Sequence, residues 1–258
     1  MSLNRAVRCG ISGVVLTLLI GLASPAEAQV SISGGLDATH QYRFRGIRQN
    51  SSGASFWPWV DFGGTTYEGD GALKSVALNI GTWNAIHTEL DGNKWYEGDV
   101  YGTATFGFSK ASLATTFTHY TSPGDWWGNI EELAFKLSFS DGVGLNPYVF
   151  VAQELGEGSA DGGDNKGTYL EFGVGPGISR DKVSVTFPIK VGLSANNYYE
   201  VDGSDNTFGY VSFGGVVTVP AGEHFNVHGG VEVQAYGDAL KSDKSAEVIG
   251  SIGIGFSF

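Results

Sequence analysis

Cysteine, basic residues and long apolar segments are scarce in this chain of 258 residues. The single cysteine, Cys9, lies in a segment that we expect to be removed, so the mature chain should have no disulfide and no thiolate chemistry. Lysine and arginine number 15 against 27 acidic residues, and the formal net charge of −12 argues against nucleic acid as a partner. After the first thirty positions no apolar run approaches about 18 residues, which excludes membrane-spanning helices there.

The first thirty residues have the layout of a secretory signal peptide. Arg5 and Arg8 precede an apolar run from Ile11 to Leu22, and the sequence Ala26-Glu27-Ala28 follows. This order predicts cleavage after Ala28 and export through the periplasm. A membrane-anchoring helix is the alternative, but the apolar run is short for a span. We therefore expect a signal peptide at residues 1–28 and a single domain at residues 29–258.

The rest of the chain alternates apolar residues with small or polar ones. From Val248 to Phe258 every second residue is apolar or glycine, and those between are small or polar after Ile249. A period of two predicts a strand with one face for lipid and one for a polar lumen. Similar segments occur at residues 30–41, 55–62, 74–83, 96–108, 112–121, 131–140, 145–154, 168–178, 183–194, 207–219, 225–236 and 247–258. Pro58 weakens the second segment, because proline cannot donate to a strand ladder.

The connections between these segments alternate in length. Those after the fourth, sixth, eighth and tenth segments are short, and the second, residues 63–73, is somewhat longer. Those after the odd segments are long and polar: residues 42–54, 84–95, 122–130, 155–167, 195–206 and 237–246. This asymmetry is typical of bacterial outer-membrane barrels, whereas a soluble β-sandwich has no reason for it. We predict an all-β fold, a transmembrane antiparallel up-and-down barrel of about twelve strands, with ten or fourteen as alternatives.

Aromatic residues cluster near the predicted strand ends. Two interpretations stay open: girdles at the membrane interfaces, or ordinary packing between neighbouring strands. The residues concerned are Trp57, Trp59, Trp83, Trp95, Tyr96, Trp126, Trp127, Tyr198 and Tyr199.

A basic cluster in the first long connection contrasts with an acidic predicted lumen. Extending the alternation of the first strand places Arg43 and Arg45 on the same side as Asp37. These charges predict either a constriction that selects ions and small polar solutes or an ion-pair network that braces the wall. The candidate pore-lining residues are Asp37, Arg43, Arg45, Asp99, Lys136, Glu171, Lys190 and Glu232, and Asp61, Glu132 and Glu247 add further acids.

The same cluster carries a family resemblance. Tyr42-Arg43-Phe44-Arg45-Gly46-Ile47 resembles the Tyr-x-Phe/Trp-Arg-Gly motif of the TorF family, proteobacterial outer-membrane proteins long carried without a known function. Gly81-Thr82-Trp83-Asn84 is similar to the Gly-x-Trp segment of that family. The motifs are short, and the general layout matches over the whole mature chain. The resemblance implies a β-barrel and a channel.

Lipid hydrolysis and calcium binding are two alternatives to a channel. A twelve-stranded outer-membrane phospholipase uses serine, histidine and asparagine, but no histidine here lies in a similar pattern: His40, His87, His119, His224 and His228. The sequences at residues 161–165 and 202–206 are rich in aspartate and glycine, which suits either weak calcium binding or solvated turns. We expect no enzyme activity, no cofactor and no metal site.

The sequence therefore predicts an integral protein of the bacterial outer membrane that lets small hydrophilic solutes or ions diffuse passively. Expected partners are outer-membrane lipids, small polar solutes and the barrel assembly machinery, which would read the C-terminal strand ending in Phe258. The acidic lining predicts a modest cation preference. The alternatives are a structural or adhesive barrel with a closed lumen and a lipid hydrolase.

Overall fold

The computed structural model describes residues 30–50, 52–140, 142, 144–241 and 244–258, so the predicted signal peptide lies outside the described residues. Twelve strands form the wall. They are β1 (Ser31–Thr39), β2 (Ser55–Glu68), β3 (Leu73–His87), β4 (Trp95–Phe108), β5 (Ala111–Thr121), β6 (Ile130–Phe139), β7 (Tyr148–Glu154), β8 (Thr168–Val174 and Gly177–Arg180), β9 (Val183–Thr186 and Ile189–Asn196), β10 (Phe208–Pro220), β11 (Phe225–Tyr236) and β12 (Ala246–Ser257).

Each strand pairs antiparallel with its neighbours in the chain, and β12 pairs with β1 to close the sheet. Leu36 lies opposite Ile254 and Ala38 opposite Ile252 in this last ladder. Closure gives each strand two partners along most of its length, as a wall in an apolar solvent requires. The turn-end segment of β8, Gly177–Arg180, pairs on one side only, with Val183–Thr186 of β9. The predicted all-β barrel of twelve antiparallel strands is confirmed.

Exposure follows the predicted alternation. In β12 the side chains of Val248, Ile252 and Ile254 are 55–62% exposed, whereas Glu247 and Ile249, on either side of Val248, are buried. Valine, isoleucine and phenylalanine form a similar outer surface on the other strands. The barrel thus has an apolar exterior and a polar interior, as expected of a wall that faces lipid.

The two ends of the barrel differ. One end, called the loop end, carries the connections at residues 40–54, 88–94, 122–129, 155–167, 197–207 and 237–245. The other, called the turn end, carries those at residues 69–72, 109–110, 140–147, 181–182 and 221–224. The second connection is shorter than predicted, because β2 and β3 extend beyond the segments expected from alternation.

Prolines interrupt the wall at the turn end, where the sequence predicted continuous strands. The eighth strand breaks at Gly175 and Pro176, and the ninth at Phe187 and Pro188. Proline has no N–H to donate to a ladder. Pro58, by contrast, lies within β2 and keeps its register with Leu36 of β1. Its carbonyl oxygen accepts a hydrogen bond of 3.2 Å from the side-chain amide of Asn84.

The described residues contain one 3-10 turn, Asp238–Leu240, in the last long connection. Within that part of the chain no helix has the length and apolar character needed to cross a membrane.

Candidate functional site

The first long connection folds into the barrel instead of extending outward. Arg43–Phe44 and Ile47–Arg48 pair as a small hairpin, with positive φ angles of 50° at Arg45 and 85° at Gly46 in its turn. Two central residues with positive φ are typical of a tight hairpin turn. We call residues 42–50 the interior hairpin. Its base is held by Tyr42, whose N–H donates to Asn50 Oδ1 at 2.7 Å.

Arg45 at the tip of the interior hairpin is bound to the wall. Its guanidinium donates to both carboxylate oxygens of Glu132 on β6, at 2.6 and 2.8 Å, and to Tyr198 Oη at 2.9 Å. The guanidinium also lies 4.6 Å from the ring centroid of Tyr169. Burial alone would lower the pKa of Arg45, but Tyr198 and Glu132 raise it well above its ordinary value. The side chain is therefore a permanent cation that a bidentate carboxylate neutralises.

Arg43 makes a second buried ion pair with the closing strand. Its Nη2 lies 2.5 Å from Oε2 of Glu247 on β12, and the two side chains are 2% and 5% exposed. The guanidinium also lies over the ring of Tyr236, 4.5 Å from its centroid. Glu247 further accepts hydrogen bonds from Gln41 and Tyr236. The two arginines thus tie the hairpin to β6 and β12, the arrangement expected of a brace.

Tyrosines fill the loop end beside the hairpin. Tyr169, Tyr198, Tyr199 and Tyr210 are at most 2% exposed. Glu171 accepts hydrogen bonds from the hydroxyls of Tyr169 at 2.5 Å and Tyr210 at 2.9 Å. Tyr199 Oη donates to the backbone oxygen of Arg45, the residue in the hairpin turn, at 2.9 Å. Burial raises the pKa of both Tyr198 and Tyr199, so these loop tyrosines remain neutral. Packing of this kind closes this side of the interior.

A cavity of about 520 Å³ remains on the other side of the interior hairpin. The rings of Tyr42, Trp57 and Trp83 contact one another there, with centroid separations of 5.2 to 5.6 Å. Burial, followed by the charges of Glu97 and Asp99, raises the pKa of Tyr42. We call this space the aromatic cavity. Its lining consists of Asp37, Tyr42, Arg43, Phe44, Trp57, Trp59, Trp83, Asp99, Tyr101, Thr118 and Tyr120.

The interior near the turn end has partly exposed charges. Asp37 Oδ1 lies 2.6 Å from Nε2 of His228, and both side chains are about a quarter exposed. Lys190 Nζ lies 3.1 Å from Oε1 of Glu232, and both side chains are 28% exposed. Lys136 is exposed and lies over the ring of Tyr148, 4.3 Å from its centroid. Water therefore reaches this half of the interior.

The eight candidate pore-lining residues all face the interior, but the structure separates them into two groups. Arg43, Arg45 and Asp99 are buried near the loop end, and Glu171 accepts tyrosine hydrogen bonds. Lys136, Lys190 and Glu232 lie in the half with partly exposed charges, and Asp37 belongs to both regions, because it contacts His228 and also lines the aromatic cavity. The tyrosines that pack around Arg45 were not among the candidates. Their signal was the alternation itself, which places Tyr169 in phase with Glu171 and Tyr210 in phase with Ser212.

The aromatic residues near strand ends divide between the two interpretations. Trp57 and Trp83 pack against Tyr42 in the interior, so they do not belong to an interface girdle. Trp95 and Trp126 are 46% and 43% exposed, as a girdle residue would be.

The described contacts of the histidines are with rings, carboxylates, amides and backbone atoms, although buried His87 lies across from Ser55 in the ladder of β2 and β3. His87 is buried and stacked on Tyr96 at 4.4 Å. His224 contacts the backbone oxygen of Ser257, and His228 contacts Asn226 and Asp37. Among the described residues no histidine is hydrogen-bonded to a serine or threonine hydroxyl, the contact that an activated nucleophile uses.

The first aspartate-rich connection closes on the second. The two carboxylate oxygens of Asp161 accept backbone N–H groups of Gly163 at 2.8 Å and Glu200 at 2.7 Å. Asn165 donates to Glu200 at 2.7 Å. In the described part of the chain no group of three or more metal-ligating side chains comes together.

Comparisons with known proteins give similarity in structure alone. No family model and no curated protein sequence matches the chain. A solved KdgM porin aligns with a TM-score of 0.50 at 8% sequence identity, covering 88% of this chain and 99% of that chain. A KdgM porin in complex with disordered oligogalacturonate aligns with the same score and coverage at 9% identity. The chain therefore shares its fold, a closed antiparallel barrel of twelve strands, with outer-membrane porins.

Proposed function

We propose that the chain is a channel of the bacterial outer membrane for passive diffusion of small hydrophilic solutes or ions. The observation that carries this proposal is the partly exposed, charged interior near the turn end, with the pairs Asp37–His228 and Lys190–Glu232. A barrel that served only as a scaffold would gain nothing from solvated charges inside its wall. The predicted signal peptide and the apolar outer surface support the proposal of export through the periplasm and insertion into the outer membrane.

The balance of interior charge favours cations. Both hairpin arginines are neutralised by Glu247 and Glu132. Lys190 is likewise paired with Glu232. Asp37 and Asp61 remain on the wall with Lys136, and Asp61 accepts its hydrogen bond from an uncharged amide, that of Asn79. A ring of acidic side chains lowers the energy of a cation in a pore.

The interior hairpin would control this channel. Its two ion pairs and the tyrosines around it close one side of the interior, and the aromatic cavity lies on the other side, so we expect the position of the hairpin to set the width of the passage. A permanently closed structural or adhesive barrel is the second candidate function, and the tyrosines that are at most 2% exposed favour it.

Single-channel recording of the refolded mature protein distinguishes the two candidates. We expect discrete current steps in a planar bilayer, and a reversal potential in a salt gradient that shows cation preference. Asp37→Asn should reduce that preference, because its carboxylate lies inside the barrel, whereas Asp91→Asn on an exposed external connection should not. Folded, inserted protein that never conducts would support the closed barrel instead, and anion preference would contradict the proposed lining.

We also propose that the resemblance to the TorF family reflects membership. The residues of the motif, Tyr42 to Ile47, form the interior hairpin, so the motif would have a physical task, which is closing the loop end. Residues 42–47 of the motif form the first part of the interior hairpin, including its turn at Arg45 and Gly46, which supports the proposal.

A further inference from the structure

The aromatic cavity has the features of a ligand site that the proposed channel function does not explain. It lies between the interior hairpin and the wall strands β1 to β5, and its volume of about 520 Å³ lies within the ~300–1,000 Å³ of small-ligand pockets. Its lining combines aromatic rings with the carboxyl groups of Asp37 and Asp99 and with Arg43, whose guanidinium is paired with Glu247.

Two of the rings lie along the wall with glycine behind them. Trp59 is the cross-strand partner of Gly35, and a methyl group on Gly35 would come within 2.8 Å of Trp59 Nε1. Tyr101 is likewise the partner of Gly81 and covers it. Because glycine leaves room for a ring against the backbone, the opposite ring face is turned toward the cavity.

Asp99 supplies an unpaired carboxyl group to this cavity. It is 6% exposed, and its Oδ1 has no hydrogen-bond partner among the described residues. The neighbouring arginines are already bound, Arg43 to Glu247 and Arg45 to Glu132, and in the described part of the chain neither forms an ion pair with Asp99. A buried carboxylate oxygen without a partner is costly, and a cationic ligand would relieve that cost.

We propose that the aromatic cavity binds organic ammonium cations, held by the faces of Trp59, Trp83 and Tyr101 and by the carboxylate of Asp99. Aromatic faces attract ammonium groups through the ring quadrupole, and sets of such rings recognise quaternary ammonium ligands. Asp99 and Asp37 would repel anionic solutes. A neutral sugar could stack on the rings but would leave the carboxyl group of Asp99 without a partner. As a statement about the solute of the channel this inference rests on the proposed function, but the binding site does not require conduction.

Binding of choline chloride to the refolded protein in detergent micelles tests the proposal, with tryptophan fluorescence as the readout. The matched ligand is 3,3-dimethylbutan-1-ol, which has the shape of choline without its charge, and sodium chloride controls for ionic strength. We expect a saturable response to choline and roughly tenfold weaker binding of the alcohol.

Binding to variants tests whether Asp99 is the residue that interacts with the charge of choline. Asp99→Asn should weaken choline binding by roughly tenfold and leave the alcohol unchanged. Asp91→Asn is the control, because Asp91 is exposed on the connection at residues 88–94 and does not line the cavity. Should Asp99→Asn not fold, the comparison of the two ligands on the wild-type protein still decides.

Equal binding of choline and the alcohol would overturn the proposal, as would saturable binding of a neutral disaccharide in place of choline. No saturable binding at all, or choline binding that Asp99→Asn leaves unchanged, would overturn it as well. A protein that binds choline and never conducts current would contradict the proposed channel function and support the proposed binding site.

Discussion

At the scale of single residues, the interior depends on arginines that have exchanged water for carboxylates. The ion pair of Arg45 with Glu132 is almost fully buried, with side-chain exposures of 11% and 3%. Removing two charges from water is expensive, and the attraction in the interior repays that cost only when geometry and hydrogen bonds are good. The bidentate contact and the Tyr198 hydroxyl provide both. Replacing one partner should therefore lower the free energy of unfolding more than replacing both.

A double-mutant cycle on Arg45 and Glu132 measures this. Arg45→Met leaves a buried carboxylate and should lower the free energy of unfolding by about 3–5 kcal/mol. Adding Glu132→Leu to the same protein should recover most of that loss, because no charge then stays buried. Denaturant unfolding of the barrel in lipid vesicles gives the values. Arg180→Met on the exposed turn-end segment of β8 is the control and should change stability by less than about 0.5 kcal/mol. A double variant as unstable as the single one would show that the loss comes from the volume of Arg45.

At the scale of elements, the interior hairpin is the part that the sequence predicted least well. Alternation indicated that Arg43 and Arg45 face the lumen, and they do, but not as an extension of the first strand. That strand ends at Thr39, and the left-handed turn at Arg45 and Gly46 sends the chain back. The direction of a loop depends on partners that are distant in the sequence. Here they are Glu132 and Glu247, and a local pattern cannot identify them.

Gly46 connects this turn to the opposite wall. A methyl group there would lie 2.7 Å from Leu240 Cδ1 and 3.0 Å from a ring carbon of Tyr210. Gly46→Ala should therefore push the hairpin from its place and increase single-channel conductance relative to the wild type. Gly92→Ala is a matched control, since Gly92 also has a positive φ, 77°, but nothing lies within 4 Å of the added methyl. Both variants carry backbone strain of about 1 kcal/mol. The hairpin would not control conduction if the two variants conducted alike.

The strands themselves were largely predictable, and the exceptions have a local cause. The segment at residues 225–236 was predicted with both of its observed ends. Alternation cannot show where a ladder stops, so β2 and β3 extend beyond their predicted ends. Alternation also does not register that proline lacks a backbone N–H. For that reason the strands interrupted at Pro176 and Pro188 were predicted to be continuous. Inward rings such as Trp59 depend on the cross-strand partner, here Gly35, and the register that pairs them is absent from the sequence.

At the scale of the whole molecule, the C-terminal strand joins the two ends of the chain. The N–H of Phe258 donates to the backbone oxygen of Ile32 at 2.9 Å, and its ring stacks on His224 with centroids 4.6 Å apart. The ring remains 60% exposed, so it contributes less to the barrel than a buried aromatic would. We propose that its larger task is recognition by the assembly machinery.

Phe258→Ala tests this proposal, because the effect of the substitution on assembly in cells can be compared with its effect on the stability of the purified barrel. We expect refolding of the purified variant into detergent to resemble the wild type, because the side chain is mostly exposed. The amount of folded barrel in the outer membrane of cells should fall severalfold. Phe225→Ala, which removes a ring that packs near Phe258 and keeps the terminal residue, is the control. Equal losses in cells for both variants would show that packing, and not the terminal aromatic, matters.

The ion pair between the interior hairpin and β12 has a further consequence for the order of folding. Arg43 and Glu247 are 204 positions apart in the chain, and Arg45 and Glu132 are 87 apart. The entropic cost of joining chain segments grows with the length of the loop between them, so contacts this remote form late. Glu247 becomes available only when the last strand is in place beside the first. We therefore expect a partly assembled barrel to be more permeable than the complete one, because the interior hairpin gains its contact with Glu247 only when the wall closes.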